Sequence, residues 1–142
     1  MSTPTSARNQ LAGTVTNVRK GAVNAEVELE ISGGATLVAQ VTLPSVESLG
    51  LVPGRKATAL LKSSWMLLGT GEAEPRVSAR NRLKGTILVV SKGAVNAEVS
   101  LKIAGGAVLV ATVTNTSAEA LDLKPDATVW ALFKAGAVIL AV

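Results

Sequence analysis

Two similar stretches decide the fold of this chain, KGAVNAEVELEI at 20–31 and KGAVNAEVSLKI at 92–103. In the first, apolar residues from Val23 to Ile31 alternate with Asn24 and three glutamates. The second repeats this alternation from Val95 to Ile103. A period of two residues is typical of a β-strand with one buried face. Each stretch is therefore predicted to be a strand whose apolar residues, Val23 and Val95 included, are buried.

The two stretches belong to a longer internal repeat. Shifting the sequence by 72 residues aligns Ser6–Thr70 with Ser78–Val142 without a gap, and 35 of the 65 aligned pairs are identical. We expect two domains, at 6–70 and 78–142, joined by the polar linker GEAEPRV at 71–77. A unit of about 65 residues is near the lower limit for folding alone, so the modules should bury apolar surface against each other or against other copies.

Each module shows the same order of predicted elements. Three strands form a meander, with turns at Lys20-Gly21 and at Ser32–Gly34 in the first copy. One or two turns of helix follow at 45–51 and 117–123, and Thr116 with Glu119 matches a capping box. Two further strands are predicted at 56–62 and 65–70, and at 128–134 and 137–142. This order predicts an all-β protein with one short helix per repeat, built as two tandem OB-like five-stranded barrels.

Composition excludes several classes of chemistry. The chain of 142 residues contains no His and no Cys, which excludes disulfides, the usual zinc and iron–sulfur sites, a Ser-His-Asp triad and a cysteine nucleophile. Carboxylates such as Glu26, Glu28 and Glu98 are expected on exposed strand faces without a paired partner. We therefore predict a binding protein and not an enzyme, with no cofactor and no bare metal cation.

Charge and hydropathy limit the classes of partner that the protein is expected to bind. The net charge is +4, and the basic residues are scattered, which is typical of a solvated surface or of a protein that attracts small anions. Aromatic residues make up 2% of the chain, so a surface that stacks nucleic-acid bases is not expected. No apolar run reaches the roughly 18 residues of a membrane span, and the N-terminus has no apolar signal region. We expect a cytoplasmic protein with neither a membrane nor a nucleic-acid partner.

Polar and cationic groups that suit an oxyanion recur in both copies. Hydroxyls flank the predicted helix starts, and each copy adds a serine, an arginine and a lysine: Thr42, Ser45, Ser6, Arg8 and Lys62, with Thr114, Ser117, Ser78, Arg80 and Lys134. Oxyanions bind where hydroxyl and N–H donors converge with positive charge. Each feature also has a structural explanation, as a helix cap, a surface charge or a strand end. All of them survive in both copies, whereas exposed neighbours such as Gln10 and Arg82 have diverged.

SARNxLxGT, followed by KGAVNAEV, a Gly-Gly hairpin and a terminal Lys, resembles the Mop (TOBE-like) molybdate-binding domain. Two copies in tandem resemble the dimop molbindins of the ModG type, over residues 6–142. The resemblance implies a cytoplasmic protein for storage and homeostasis of molybdenum that binds molybdate, with tungstate as an analogue, without changing it chemically. It also implies a homo-oligomer, a trimer, with oxyanions held where modules meet.

The resemblance further implies two classes of site. The lateral class lies between modules and uses Ser6, Arg8, Lys62 and the backbone of Ser63, with Thr42 and Ser45 from a neighbour; the second copy supplies Ser78, Arg80, Lys134, Ala135, Thr114 and Ser117. The axial class lies near the threefold axis and uses mainly main-chain N–H groups of Ala22, Val23 and Asn24, or of Ala94, Val95 and Asn96.

Two other functions remain open at this point. Similar domains are attached to DNA-binding proteins and ATPases, so the chain could be a ligand-sensing regulatory or transporter accessory module that acts through a protein partner. The strand order also permits an oligonucleotide-binding barrel, although aromatic platforms are lacking.

Overall fold

The computed structural model describes residues 3–142, which form ten strands and two short helices. The first repeat contains β1 (Asn9–Lys20), β2 (Asn24–Ile31), β3 (Thr36–Thr42), α1 (Leu43–Leu49), β4 (Lys56–Leu61) and β5 (Leu67–Thr70). The second contains β6 (Asn81–Lys92), β7 (Asn96–Ile103), β8 (Val108–Thr114), α2 (Asn115–Ala120), β9 (Thr128–Phe133) and β10 (Ile139–Ala141). A 3-10 turn precedes each last strand, at Ser63–Trp65 and Ala135–Ala137.

The strands form two curled five-stranded sheets, so the predicted all-β class with one short helix per repeat is confirmed. The strand orders are β10-β4-β1-β2-β3 and β5-β9-β6-β7-β8, with antiparallel pairing throughout. In each sheet the two edge strands approach one another, but no ladder of backbone hydrogen bonds joins them among residues 3–142. Each sheet is therefore a half-barrel with an opening between its edges.

The last strand of each repeat joins the sheet of the other repeat. Strand β10 pairs with β4, with Leu140 opposite Ala59, and β5 pairs with β9, with Leu68 opposite Ala131. Each sheet thus takes four strands from one repeat and its fifth from the other. The order of elements along the sequence does not reveal this exchange.

Alternation places the core on one face of each sheet. Ala25, Val27, Leu29 and Ile31 are buried, as are their counterparts in β7, so the predicted buried face of the second strand is confirmed from Ala25 onward. The prediction for Val23 and Val95 is wrong, because the chain turns before the strand begins. The N–H of Gly21 donates to the carbonyl of Asn24 at 2.8 Å, which leaves Val23 71% exposed.

The helices begin two residues earlier than the predicted capping box. The N-cap residues are Thr42 and Thr114, whose hydroxyls accept from the N–H of Ser45 and of Ser117 at 3.3 and 3.0 Å. Strands β3 and β8 run directly into the helices, so the residue that ends the strand also caps the helix. The longest helix among residues 3–142 has seven residues, and none of the helices there could cross a membrane.

The two repeats touch at their Gly-Gly hairpins. Gly33 and Gly105 have φ angles of +97° and +90°, and a Cβ on either would fall far inside contact with the carbonyl of the other. Both positions therefore require glycine for two reasons, the positive φ and the close approach of the backbones.

Candidate functional site

The predicted hydroxyl pairs are formed in both repeats. Thr42 Oγ1 and Ser45 Oγ lie 2.9 Å apart, and the Thr114 hydroxyl donates to Ser117 Oγ at the same distance. Each pair lies where a third strand passes into a helix, with the threonine exposed. The capping role and the predicted hydroxyl cluster thus belong to the same residues.

The first of these pairs lines a groove of about 410 Å³. The groove opens between the edge strands β3 and β10 of the first sheet, next to the 3-10 turn of the second repeat. Its lining includes Asn24, Thr42 and Ser45 from the first repeat, and Gly136 and Ile139 from the second. Because Gly136 follows Lys134 and Ala135 directly, the first repeat's hydroxyls face the turn after the second repeat's lysine, within one chain.

A second groove, of about 290 Å³, brings together Ser6 and Lys62. Trp65 forms part of its wall, and Ile139 of the second repeat lines both grooves. The ammonium of Lys62 lies 5.8 Å from the centroid of the Trp65 ring. A serine hydroxyl and an ammonium near a shared groove are donors suited to an anion.

The residues after each lysine also contact the other repeat. Ser63 is buried, and its Oγ lies 2.8 Å from Thr112 Oγ1 of β8. At the matching junction Ala135 is buried and the turn packs against β3. Lys134 and Ser78 are exposed, as their counterparts in the first repeat are.

The two arginines of the SARN motifs cross to the other repeat. Arg8 Nη1 contacts Glu98 Oε2 on β7, and Arg80 Nη1 contacts Glu26 Oε2 on β2. The prediction that Glu26 and Glu98 have no paired partner is therefore wrong. Each contact uses one nitrogen of a guanidinium that carries five N–H donors, so further donors remain for another acceptor.

The predicted axial residues lie where the turn after the first strand of each repeat leads into the second strand, with Asn24 and Asn96 as the first residues of β2 and β7. In the first repeat Ala22, Val23 and Asn24 are exposed, and Asn24 lies opposite Thr42 in the sheet. In the second repeat Ala94, Val95 and Asn96 occupy the matching exposed turn. Asn24 lines the same groove as Thr42 and Ser45, so residues expected in separate classes of site are neighbours here.

Comparison with known proteins identifies the family. The TOBE domain model matches residues 5–68 and 77–140, one match for each repeat. The chain belongs to the TOBE-domain family.

Three similar proteins extend this assignment. The crystal structure of the cytoplasmic molybdate-binding protein ModG with molybdate bound superposes with a TM-score of 0.94, at 46% identity and over 99% of both chains. The molybdenum-pterin-binding protein MopA of Rhodobacter capsulatus is 46% identical over 96% of this chain and 52% of its own length. The molybdenum transport protein ModE of Herbaspirillum seropedicae is 42% identical over 100% of this chain and 53% of its own length. The chain thus spans about half the length of these two curated relatives.

Sequence reasoning missed the asparagines that follow the two arginines. In the TOBE repeats Asn9 and Asn81 are almost completely buried and clamp the edge strand of the opposite repeat. Asn9 Oδ1 accepts from the N–H of Val110 at 2.7 Å, and its Nδ2 donates to the carbonyls of Val110 and Leu61. Asn81 forms the matching pair of hydrogen bonds with Val38, both at 2.8 Å. The identity of both asparagines across the copies was the available signal.

The divergent neighbours have local partners that differ between the TOBE repeats. Gln10 holds the N-terminal segment through hydrogen bonds with the N–H and carbonyl of Thr3. Arg82 instead forms an ion pair with Glu74 of the linker at 3.3 Å. The side chain at this position therefore contacts, in each copy, the segment that precedes the repeat.

Proposed function

We propose that this chain is a cytoplasmic molybdate-binding protein that stores and buffers molybdenum, with tungstate as an analogue ligand and without chemical conversion. The proposal is supported by the likeness to ModG over 99% of both chains. The oxyanion is held at junctions where one TOBE repeat meets another.

The observation that carries the proposal is that residues of both repeats line each of the two grooves. Thr42 and Ser45 of one repeat face the turn after Lys134 of the other, and Ile139 of the second repeat lines the groove of Ser6 and Lys62. Molybdate is a tetrahedral dianion at neutral pH, and a charge-assisted hydrogen bond contributes about 1.5–3 kcal/mol net. Micromolar affinity needs about 8 kcal/mol in total, which an arginine, a lysine and several neutral donors can supply.

The lateral and axial residues retain the roles assigned to them from the sequence. Arg8 and Arg80 bind the oxyanion through guanidinium nitrogens other than the one that contacts Glu98 or Glu26. The axial turns bind through main-chain N–H groups. Residues 6–70 and 78–142 are the two repeat domains, and residues 71–77 join them.

The assembly is a homotrimer, in which six repeats surround the bound anions. Val23 and Val95, which are 71% and 69% exposed at the tips of the axial turns, would be covered near the threefold axis of this trimer. A ligand that binds between copies stabilises the assembly by mass action. Native mass spectrometry with and without molybdate measures both the number of chains and the number of anions bound.

The assignment of the arginine is tested by Arg8→Ala. We expect molybdate affinity at the lateral sites to fall about 10–100-fold, because one charge-assisted hydrogen bond is lost. Isothermal titration calorimetry measures the affinity. Arg55→Ala is the matched control, since Arg55 lies in the exposed turn before β4, outside the repeated cluster. Equal affinities in the two variants would contradict the role of Arg8.

A further inference from the structure

The two repeats differ in the turn that follows the repeated lysine. Lys62 is followed by Ser63, Ser64 and Trp65, whereas Lys134 is followed by Ala135, Gly136 and Ala137. The backbone is the same in both places, a 3-10 turn leading into a short exchanged strand. The difference therefore lies in the side chains that surround each ammonium.

Trp65 gives Lys62 a partner that Lys134 lacks at the matching position. The Lys62 ammonium lies 5.8 Å from the centroid of the Trp65 ring, within the range of a cation–π interaction. Ala137 occupies the position of Trp65 in the second repeat and has no ring. The indole is 48% exposed, so the contact lies at the surface and is not part of the buried core.

The ring and the ammonium line the same groove as Ser6. A lysine that binds an anion loses the rotamer freedom of its long side chain, and this loss opposes binding. A lysine already held over an aromatic face loses less of that freedom when the anion arrives. The ring quadrupole attracts the ammonium without placing a competing negative charge in the groove.

Resting on the proposed function, we propose that Trp65 is a positioning residue that holds the Lys62 ammonium for the oxyanion and makes the Lys62 site bind molybdate more tightly than the Lys134 site. Trp65 acts through Lys62. Its effect on affinity therefore requires that lysine.

A double-mutant cycle measured by isothermal titration calorimetry tests this dependence, with molybdate as the ligand of the full-length protein. We expect two affinity classes in the unsubstituted chain, and Trp65→Ala should weaken the tighter class about 2–5-fold, the size expected of an exposed cation–π contact. In the Lys62→Ala background, Trp65→Ala should cause no further loss. Trp65→Phe should recover part of the affinity, because phenylalanine retains a ring face.

The outcomes separate the inference from the function on which it rests. If the unsubstituted chain does not bind molybdate, the proposed function fails. If it binds, but Trp65→Ala leaves every affinity unchanged or weakens binding equally with and without Lys62, the positioning role alone is overturned. Arg55→Ala is the control for a substitution outside the site. Trp65→Leu, which keeps an apolar side chain but has no ring, replaces Trp65→Ala in the cycle if the alanine variant does not fold.

Discussion

At the scale of single residues, Asn9 and Asn81 connect the two repeats. Each uses both the oxygen and the nitrogen of its amide on one residue of the opposite edge strand, Val110 for Asn9 and Val38 for Asn81. A buried backbone N–H or carbonyl without a partner is costly, so an edge strand that packs against protein needs such a substitute for a neighbouring strand. The arginines that contact Glu98 and Glu26 directly precede these asparagines in the sequence. The hydrogen bonds of the asparagines therefore also fix the backbone from which the two arginine side chains extend.

Asn9→Ala is expected to destabilise the chain by about 2–4 kcal/mol. The substitution leaves the N–H of Val110 and two carbonyls without this partner; a fully buried unpaired group costs about 1–3 kcal/mol, and the two groups of Val110, which are only partly buried, cost less. Urea unfolding followed by circular dichroism measures the change. Asn17→Ala, an exposed position on the same strand, is the control and should change stability by less than about 0.5 kcal/mol.

Gly33 and Gly34 allow backbone strain to be separated from steric contact. Their φ angles are +97° and +99°, but a Cβ on Gly33 would clash with Gly105 while a Cβ on Gly34 would meet nothing within 4 Å. Gly34→Ala should cost about 1–3 kcal/mol from strain alone, and Gly33→Ala should cost more. Thermal unfolding of the two variants compares them. Equal melting temperatures would show that the hairpins separate without penalty.

At the scale of strands and helices, the sequence predicted the features that depend on residues close together in the chain. Alternation identified strand β2, but it extended the buried face to Val23, because alternation does not show where a turn such as that closed by Gly21 and Asn24 begins. The capping-box pattern at Thr116 was incorrect because Thr114 ends β8 and caps α2 at once.

The exchange of the last strands was outside the reach of sequence reasoning. Strands β4 and β9 are homologous partners, so nothing local in Leu67–Thr70 specifies which of them it will pair with. The hydroxyl pairs of the candidate site were predictable because both members lie within four residues of each other. The contacts of Arg8 with Glu98 and of Arg80 with Glu26 were not, because they join residues far apart in sequence.

One of the contacts between the linker and the second repeat is an ion pair that depends on pH. Lys84 Nζ donates to Glu72 Oε2 at 2.9 Å; this hydrogen bond first, and then the lysine's positive charge, lowers the pKa of Glu72 below 4.5. A lowered carboxyl pKa stabilises the fold above the unfolded-state value, and this contribution disappears as the pH falls through the lowered pKa. Both side chains are exposed, so the effect is small.

Glu72→Gln is expected to lower the melting temperature slightly at pH 7 and to have no effect once the pH is well below 4.5. Differential scanning calorimetry across this range at low salt measures the difference from the unsubstituted chain. Glu47→Gln, on the exposed surface of α1, is the control. A destabilisation by Glu72→Gln that persists unchanged at acid pH would show that the contact does not act through the carboxylate charge.

At the scale of the whole molecule, one repeat is not a complete structural unit. A fragment of residues 6–70 has strand β4 without β10 and strand β5 without β9. Two such fragments can replace both missing strand pairings if β5 of each fragment pairs with β4 of the other. We expect the fragment to form dimers or larger even-numbered assemblies, as measured by size-exclusion chromatography with light scattering. A folded monomer with native circular dichroism would contradict the requirement for exchange.

The exchanged strands β5 and β10 also determine how the protein unfolds. Releasing β10 from β4 opens the first sheet and at the same time detaches the end of the second repeat. Neither half can melt while the other stays intact, so heat should denature the pair in a single all-or-none event. The two repeats that gene duplication has produced in this protein should therefore unfold together and not one after the other.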